Sequence, residues 1–220
     1  MKFTASLAAA ASLCVALASC SGPGSNGAGS NPAAGTPRSV SNFPIPARIS
    51  PAIPPPPPSM KHPASPPAGG RRIMEDTPHP AFFSGETAAG GGVYYLAFSN
   101  GNPFGYYSYD SGGNYIYHSD AGWEYYVDAS DANNGIYLYD FASGHWWYTS
   151  PTFPFPYLYD FTLGAVLYYY PDTTRTGHYT TSPRYFYDFG TDEIITLPSP
   201  PSGRGTPPPC TSNCISQPVF

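Results

Sequence analysis

Two near-copies of one aromatic ribbon, YLYDFASGHWWY starting at Tyr137 and YLYDFTLGAVLYYY starting at Tyr157, constrain this chain more than any other feature. Each reads Tyr-x-Tyr-Asp-Phe, then a glycine-bearing break, then a second aromatic or aliphatic run. Looser copies flank the pair: VYYLAFSNGNPFGYYSY at Val93 to Tyr109, NYIYHSDAGWEYYVD at Asn114 to Asp128, and RYFYDFGTDEIITL at Arg184 to Leu197. All 20 tyrosines fall between Tyr94 and Tyr187, together with the 3 tryptophans. Aromatic and β-branched residues suit a pleated, half-buried surface, and no window here sustains helical spacing. The breaks at Asn100-Gly101, Asp120-Ala121-Gly122, Ser143-Gly144 and Leu163-Gly164 read as hairpin turns. One hairpin alone is marginal, so the units must join. The expected fold is all-β: an antiparallel hairpin array of about ten strands, either a solenoid or a curled meander, open or closed into a barrel.

Period-two geometry assigns faces within this array. In the third unit Tyr137, Tyr139 and Phe141 share one face and Leu138 and Asp140 the other, with Trp146 and Tyr148 of the return strand able to meet the tyrosines. Asp140, Asp160 and Asp188 recur at one repeat position, where His118 stands in the second unit. A carboxylate at a strand end accepts hydrogen bonds from turn amides, and that role is favoured there over catalysis or calcium. Val, Leu and Ile are sparse, so rings must fill much of the interior; with so many rings, others must reach the surface, as a sugar-stacking surface requires. The stacking candidates are Trp123, Trp146, Trp147, Tyr148, Tyr168 and Tyr170.

Composition sets the boundaries. With 29 prolines and 23 glycines in 220 residues, much of the chain cannot pack. Residues 20–90 read as a disordered Pro/Ser/Gly linker, 91–197 as the folded repeat domain, and 198–220 as a Pro-rich tail. Over about 65 residues such a linker averages roughly 45 Å if flexible and approaches about 200 Å if fully proline-stiffened. Its five cations, Arg38, Arg48, Lys61, Arg71 and Arg72, either keep it soluble or touch an anionic surface. The proline run Pro54 to Pro58 could also attract a proline-recognising partner, although such runs are common in linkers. From Tyr94 to Thr196 two arginines face eleven acids, which repels nucleic-acid phosphates and removes that partner class.

Residues 1–19 carry one early cation, Lys2, and then an uncharged apolar run, the pattern of a signal peptide. Leu17-Ala18-Ser19-Cys20 resembles the lipobox of bacterial lipoproteins. The resemblance implies cleavage before Cys20, acylation of that cysteine, a membrane partner through the lipid, and, with Ser21 next, delivery to the outer membrane or cell surface. Ordinary secretion after Ala16-Leu17-Ala18 is the alternative. The aromatic hairpin recurring from Val93 to Leu197, with glycine at the turns and return strands such as GHWWY and AVLYYY, resembles the choline-binding type of cell-wall repeat. It is also similar to tyrosine-rich repeats of environmental bacterial surface proteins. The resemblance implies a non-catalytic module that binds polysaccharide, peptidoglycan or another envelope polymer; a purely structural or self-associating protein is the alternative.

Chemistry-bearing motifs are few. Asp128, Asp131 and Asn133 sit in the most acidic loop and are weak metal candidates, because the position that should hold a bidentate Glu is Ala142. His118, His145 and His178 belong to different units and read as turn histidines. No H-E-x-x-H, G-x-S-x-G or phosphate-cradling glycine loop occurs, so no enzyme activity and no cofactor are expected. Cys210 and Cys214 can close a short disulfide loop in an oxidising exterior.

Overall fold

Alternating rings between glycine turns do what period-two patterning requires. In the computed structural model, which describes residues 43–64, 79–110, 113–203 and 214–215, they form one 11-stranded antiparallel sheet. The strands are β2 (Thr87–Gly90), β3 (Val93–Ala97), β4 (Pro103–Tyr109), β5 (Tyr115–His118), β6 (Gly122–Asp128), β7 (Ile136–Asp140), β8 (His145–Thr149), β9 (Tyr157–Asp160), β10 (Ala165–Tyr169), β11 (Arg184–Asp188) and β12 (Glu193–Leu197). Each pairs only with its sequence neighbours, so the sheet is an uninterrupted meander with β2 and β12 as open edges. A two-residue β1 (His62–Pro63) pairs in parallel with β13 (Cys214–Ile215). The first strand of every expected hairpin is present, and the turns fall at the expected breaks. At the matched turns of the two near-copies, Gly144 and Gly164 have φ of 75° and 67°, a backbone state that a residue with a Cβ adopts only under strain.

The two faces carry different chemistry. Leu138, Trp147, Leu158, Leu167 and Phe186 lie on the inner face in one buried core with Phe104, Ile116, Tyr126 and Tyr169. Tyr137, Tyr139, Trp146 and Tyr148 project outward; Tyr137 stands opposite Tyr148 and Tyr139 opposite Trp146, with ring centroids 5.5 and 5.4 Å apart. The scarce aliphatic residues are thus concentrated inside, where each fully buried Leu or Phe contributes about 1.5–3 kcal/mol. The sheet curls around this core. Arg184 on β11 reaches Asp140 on β7 across three intervening strands, and Phe186 lies 5.9 Å from Trp147 on β8.

Two boundaries differ from the sequence expectation. The folded unit begins before residue 91: a 3-10 turn, Ala81–Phe83, inserts Phe82 and Phe83 into the core, and β2 adds a strand ahead of the first repeat. Residues 43–64, expected within the free linker, lie along the outer face of the sheet. A proline-rich segment cannot build a core of its own, but it needs none when a neighbouring sheet supplies the rings against which it packs. Cys20, Cys210 and residues 1–19 lie outside the described residues, so the acylation and disulfide expectations do too.

Candidate functional site

Proline lacks an N–H, so a run such as Pro54 to Pro58 can offer a sheet only carbonyl oxygens and ring surfaces. The outer face supplies the complementary donors. Tyr170 donates to the carbonyl of Pro44 at 3.0 Å, Tyr157 to Ala47 at 3.0 Å, Tyr137 to Pro55 at 2.8 Å and Tyr115 to Ala64 at 2.7 Å. The strap formed by residues 43–64 therefore runs from Tyr170, the residue after β10, across β9 and β7 to β5. Its burial repeats every third residue, at Phe43, Pro46 and Ile49 and, after a one-residue slip, at Pro51, Pro54 and Pro57, the period of a polyproline II helix. Phe43 lies 4.5 and 4.8 Å from the rings of Tyr170 and Tyr185, and His62 lies 5.2 Å from Tyr139. Arg48 pairs with Asp192 and stands 5.6 Å over Phe189. Burial, with Tyr168 nearby, pushes the Tyr170 hydroxyl up to about 12, so it stays a donor at neutral pH.

The six stacking candidates separate sharply. Trp147 is on the inner face, fully buried, and its indole Nε1 donates to Asp160 at 3.0 Å. Tyr148 faces outward but is covered by the acidic loop: its hydroxyl donates to Asp131 at 2.5 Å, and Gly135 approaches so closely that a Cβ there would sit 2.4–2.6 Å from the ring. Trp146 and Tyr170 are 3% and 1% exposed, in clusters that Ile49 and Phe43 of the strap pack against. These four offer no open ring face: Trp147 lies in the inner core, and the three outward rings are covered by other segments of their own chain. Trp123 and Tyr168 keep part of their surface exposed; Trp123 packs edge-on against Tyr117 at 5.4 Å and Tyr168 against Tyr157 at 4.9 Å.

Beside the strap is a cavity of about 270 Å³ lined by Tyr157, Phe153, Pro154, Ile49 and Pro51, with Ser50, Asn100, Asn102 and Thr152 adding polar groups. It lies just below the usual range of about 300–1,000 Å³ for small-ligand sites. Sequence reasoning missed it because its walls come from three separate segments: the strap, the β3–β4 turn and the loop after β8. The one available signal was the spacing of Phe43, Pro46 and Ile49 at every third residue.

The recurring strand-end residues have the backbone role assigned to them. Asp140 accepts from the amides of Ala142 at 3.2 Å and Ser143 at 3.0 Å, Asp160 from Thr162 at 2.8 Å and Leu163 at 3.0 Å, and Asp188 from Gly190 at 2.7 Å. His118 does the same with a ring nitrogen: Nδ1 accepts from Asp120 and Ala121 at 3.2 and 3.1 Å, while Nε2 donates to the Phe104 carbonyl at 2.8 Å. This arrangement requires the neutral tautomer, and burial holds the His118 pKa down despite the nearby Asp120. His145 and His178 pair with Asp160 and Asp120 at 2.7 and 2.9 Å.

Inside the sheet, Arg184 donates to Asp140 at 2.6 Å, and Glu124 stands directly opposite Asp140 on the next strand. Burial, then the Asp140 charge, pushes the Glu124 carboxyl well up against the opposing pull of Arg184. A protonated Glu124 leaves Arg184 and Asp140 as a balanced pair. All three are at most 1% exposed, so solvent has no open route to these carboxylates. In the acidic loop, Asp131 accepts from the amides of Asn133 at 3.0 Å and Gly135 at 2.8 Å, and Asp128 from Ser130 at 2.7 Å. Burial would raise the Asp131 pKa, but the Tyr148 hydroxyl and the loop amides outweigh it and lower it. Among the described residues no three His, Cys, Asp or Glu side chains converge as a metal cage requires. No protein-family model matches the chain, and neither a curated protein nor a solved structure matches it.

Proposed function

We propose that this is a non-catalytic protein of the bacterial cell surface, anchored through an acylated Cys20, whose aromatic sheet binds a carbohydrate or other cell-envelope polymer. The cavity beside Tyr157 supports the reading. It combines aromatic and apolar walls with the amides of Asn100 and Asn102 and the hydroxyls of Ser50 and Thr152 in a volume of about 270 Å³. Flat apolar surface with a few polar groups at its margin is the chemistry that a sugar ring presents in complement. Affinity pull-down of the full chain on envelope polysaccharides and peptidoglycan tests it. Asn102→Ala and Tyr157→Ala are each expected to weaken binding at least tenfold with the melting transition retained. Failure of the wild type to bind any polymer would overturn the reading. Intact-mass analysis of the membrane fraction tests the anchor, and a soluble, unmodified mature N-terminus at Ser19 would remove it.

One observation favours a second reading, a structural envelope protein without a ligand: Trp146, Tyr148 and Tyr170 are already covered by the chain itself. A wild type that binds no glycan yet self-associates supports it.

A further inference from the structure

The walls of the cavity beside Tyr157 are uncharged: none of the residues that line it is acidic or basic. The repeat block around it carries eleven acids against two arginines from Tyr94 to Thr196, so a neutral wall is a local exception. Arg48, next in sequence to the lining residue Ile49, is paired with Asp192 and stands over Phe189. What the walls offer instead is unused neutral polarity. Asn100 Oδ1 accepts from the backbone N–H of Asn102 at 3.0 Å, which leaves the Asn100 NH2 group as a donor. The Asn102 side chain and the Ser50 hydroxyl make no hydrogen bond among the described residues. The Tyr157 ring is held in place by its bond to the Ala47 carbonyl and by Tyr168 and Phe189 at 4.9 and 6.1 Å, neither of which lines the cavity. A fixed ring beside unpaired amides needs little ordering when a ligand binds. One wall, Ile49 to Pro51, belongs to the strap, and the others belong to the sheet and its loops. Among the described residues no hydrogen bond ties residues 49–54 to the sheet, and Ile49 is held there by packing.

We propose, resting on the carbohydrate reading of this cavity, that it takes a single uncharged sugar residue, clasped between the strap and the sheet. A uronate would bring a carboxylate against walls with no counter-charge, in the field of an anionic domain. An amino sugar finds no carboxylate there. Two rings, Phe153 and Tyr157, also fall short of the aromatic cage that holds a quaternary ammonium group such as choline. Neutral hydroxyls meet the free amides and the Ser50 hydroxyl without any charge to desolvate. The volume of about 270 Å³ lies under the range of about 300–1,000 Å³ for small-ligand sites, and so admits one sugar ring and not a run of them. Because the strap supplies one wall, the complete site exists only while the strap is seated. A ligand that binds only that arrangement stabilises it, so the bound sugar holds the strap on the sheet.

Titration calorimetry of the full-length protein tests it, with tetrasaccharides of glucose, galactose, mannose and N-acetylglucosamine and with the matching uronates and 2-amino sugars. At least one neutral tetrasaccharide is expected to bind at least tenfold more tightly than both of its charged counterparts. At saturation it should also slow protease cutting within residues 43–64 several-fold. Asn102→Asp keeps the shape of the wall and adds a charge; with the melting transition retained, it should reverse the order in favour of the 2-amino sugar. Tighter binding of a uronate or a 2-amino sugar by the wild type overturns the uncharged class and leaves the carbohydrate reading standing. Binding of a neutral sugar with no change in cutting overturns the strap as one half of the site. No binding by any member of the panel removes the carbohydrate reading itself, and the uncharged class with it.

Discussion

The two faces of the sheet are built from the same strands, yet they solve burial in different ways. The inner face closes on itself: Leu138, Trp147, Leu167 and Phe186 meet side chain to side chain as the meander curls, and the polar groups trapped there, Arg184, Asp140 and Glu124, are buried with them. The outer face is mostly tyrosine and cannot close on itself, because convex surfaces diverge. It is covered instead by residues 43–64 and 128–135. Each hydroxyl needs an acceptor, and the strap's carbonyls supply several of them. In a ring-built protein, which face is core therefore depends on what can reach it, and not on ring content.

The largest expected effect breaks the inner face. Asp140→Ala leaves Arg184 buried without its partner and removes the acceptor for two turn amides, so it should lower unfolding free energy by about 3–5 kcal/mol in urea titration. Leu138→Ala, which leaves a cavity in the core but no stranded charge, should cost about 2–5 kcal/mol. By contrast, Tyr137→Phe on the outer face removes only the hydroxyl bond to Pro55 and should cost about 0.5–1.5 kcal/mol. If Tyr137→Phe proved as damaging as Leu138→Ala, strap and core would be one cooperative unit and the contrast between the faces would fail.

Proton linkage sharpens the same contrast, since the strongly displaced carboxyl is an inner one. The folded protein holds the Glu124 proton above its usual 4.5, whereas the unfolded chain releases it, so this group's contribution to stability falls as pH rises from about 4.5. His118 acts in the opposite direction: its folded pKa lies below 6.5, so its contribution is complete above that value and lost as pH drops beneath it. Glu124→Gln should therefore gain melting temperature relative to wild type as pH is raised from 5 to 8, with the two curves converging near pH 4. Parallel curves would mean that Glu124 is ionised inside the sheet.

Much of the inner architecture was legible in the sequence because period-two patterning and glycine turns are local signals. Unit starts at Tyr115 and Tyr157 begin β5 and β9, and the strand-end role of Asp140, Asp160, Asp188 and His118 followed from their recurrence. What covers the outer face was not legible. Tyr170 meets Pro44 across 126 positions and Tyr137 meets Pro55 across 82, and no pattern in the repeat announces a partner in a proline-rich stretch. Trp146 and Tyr170 are covered for that reason: ring identity is written in the sequence, but their exposure is decided by a distant segment, while Trp123 and Tyr168 stay partly exposed. Phe82 and Phe83 were missed because two rings between Pro80 and Gly85 carry no period.

The smallest expected effect probes whether the cover opens separately from the core. Arg48 and Asp192 are about 60% exposed, so solvent and salt screen their pairing, and Arg48→Ala should change global stability by less than about 1 kcal/mol. The loss of its position over Phe189 falls within the same range. Limited proteolysis should nevertheless respond, because cleavage within residues 43–64 requires only that the strap lift, and lifting breaks no inner-face contact. Cutting that quickens several-fold in Arg48→Ala, with the urea midpoint unmoved, would establish the strap as a layer with its own low opening energy. If cutting and midpoint moved together, strap and sheet would unfold as one, and the tyrosine face would be as much core as the leucine face beneath it.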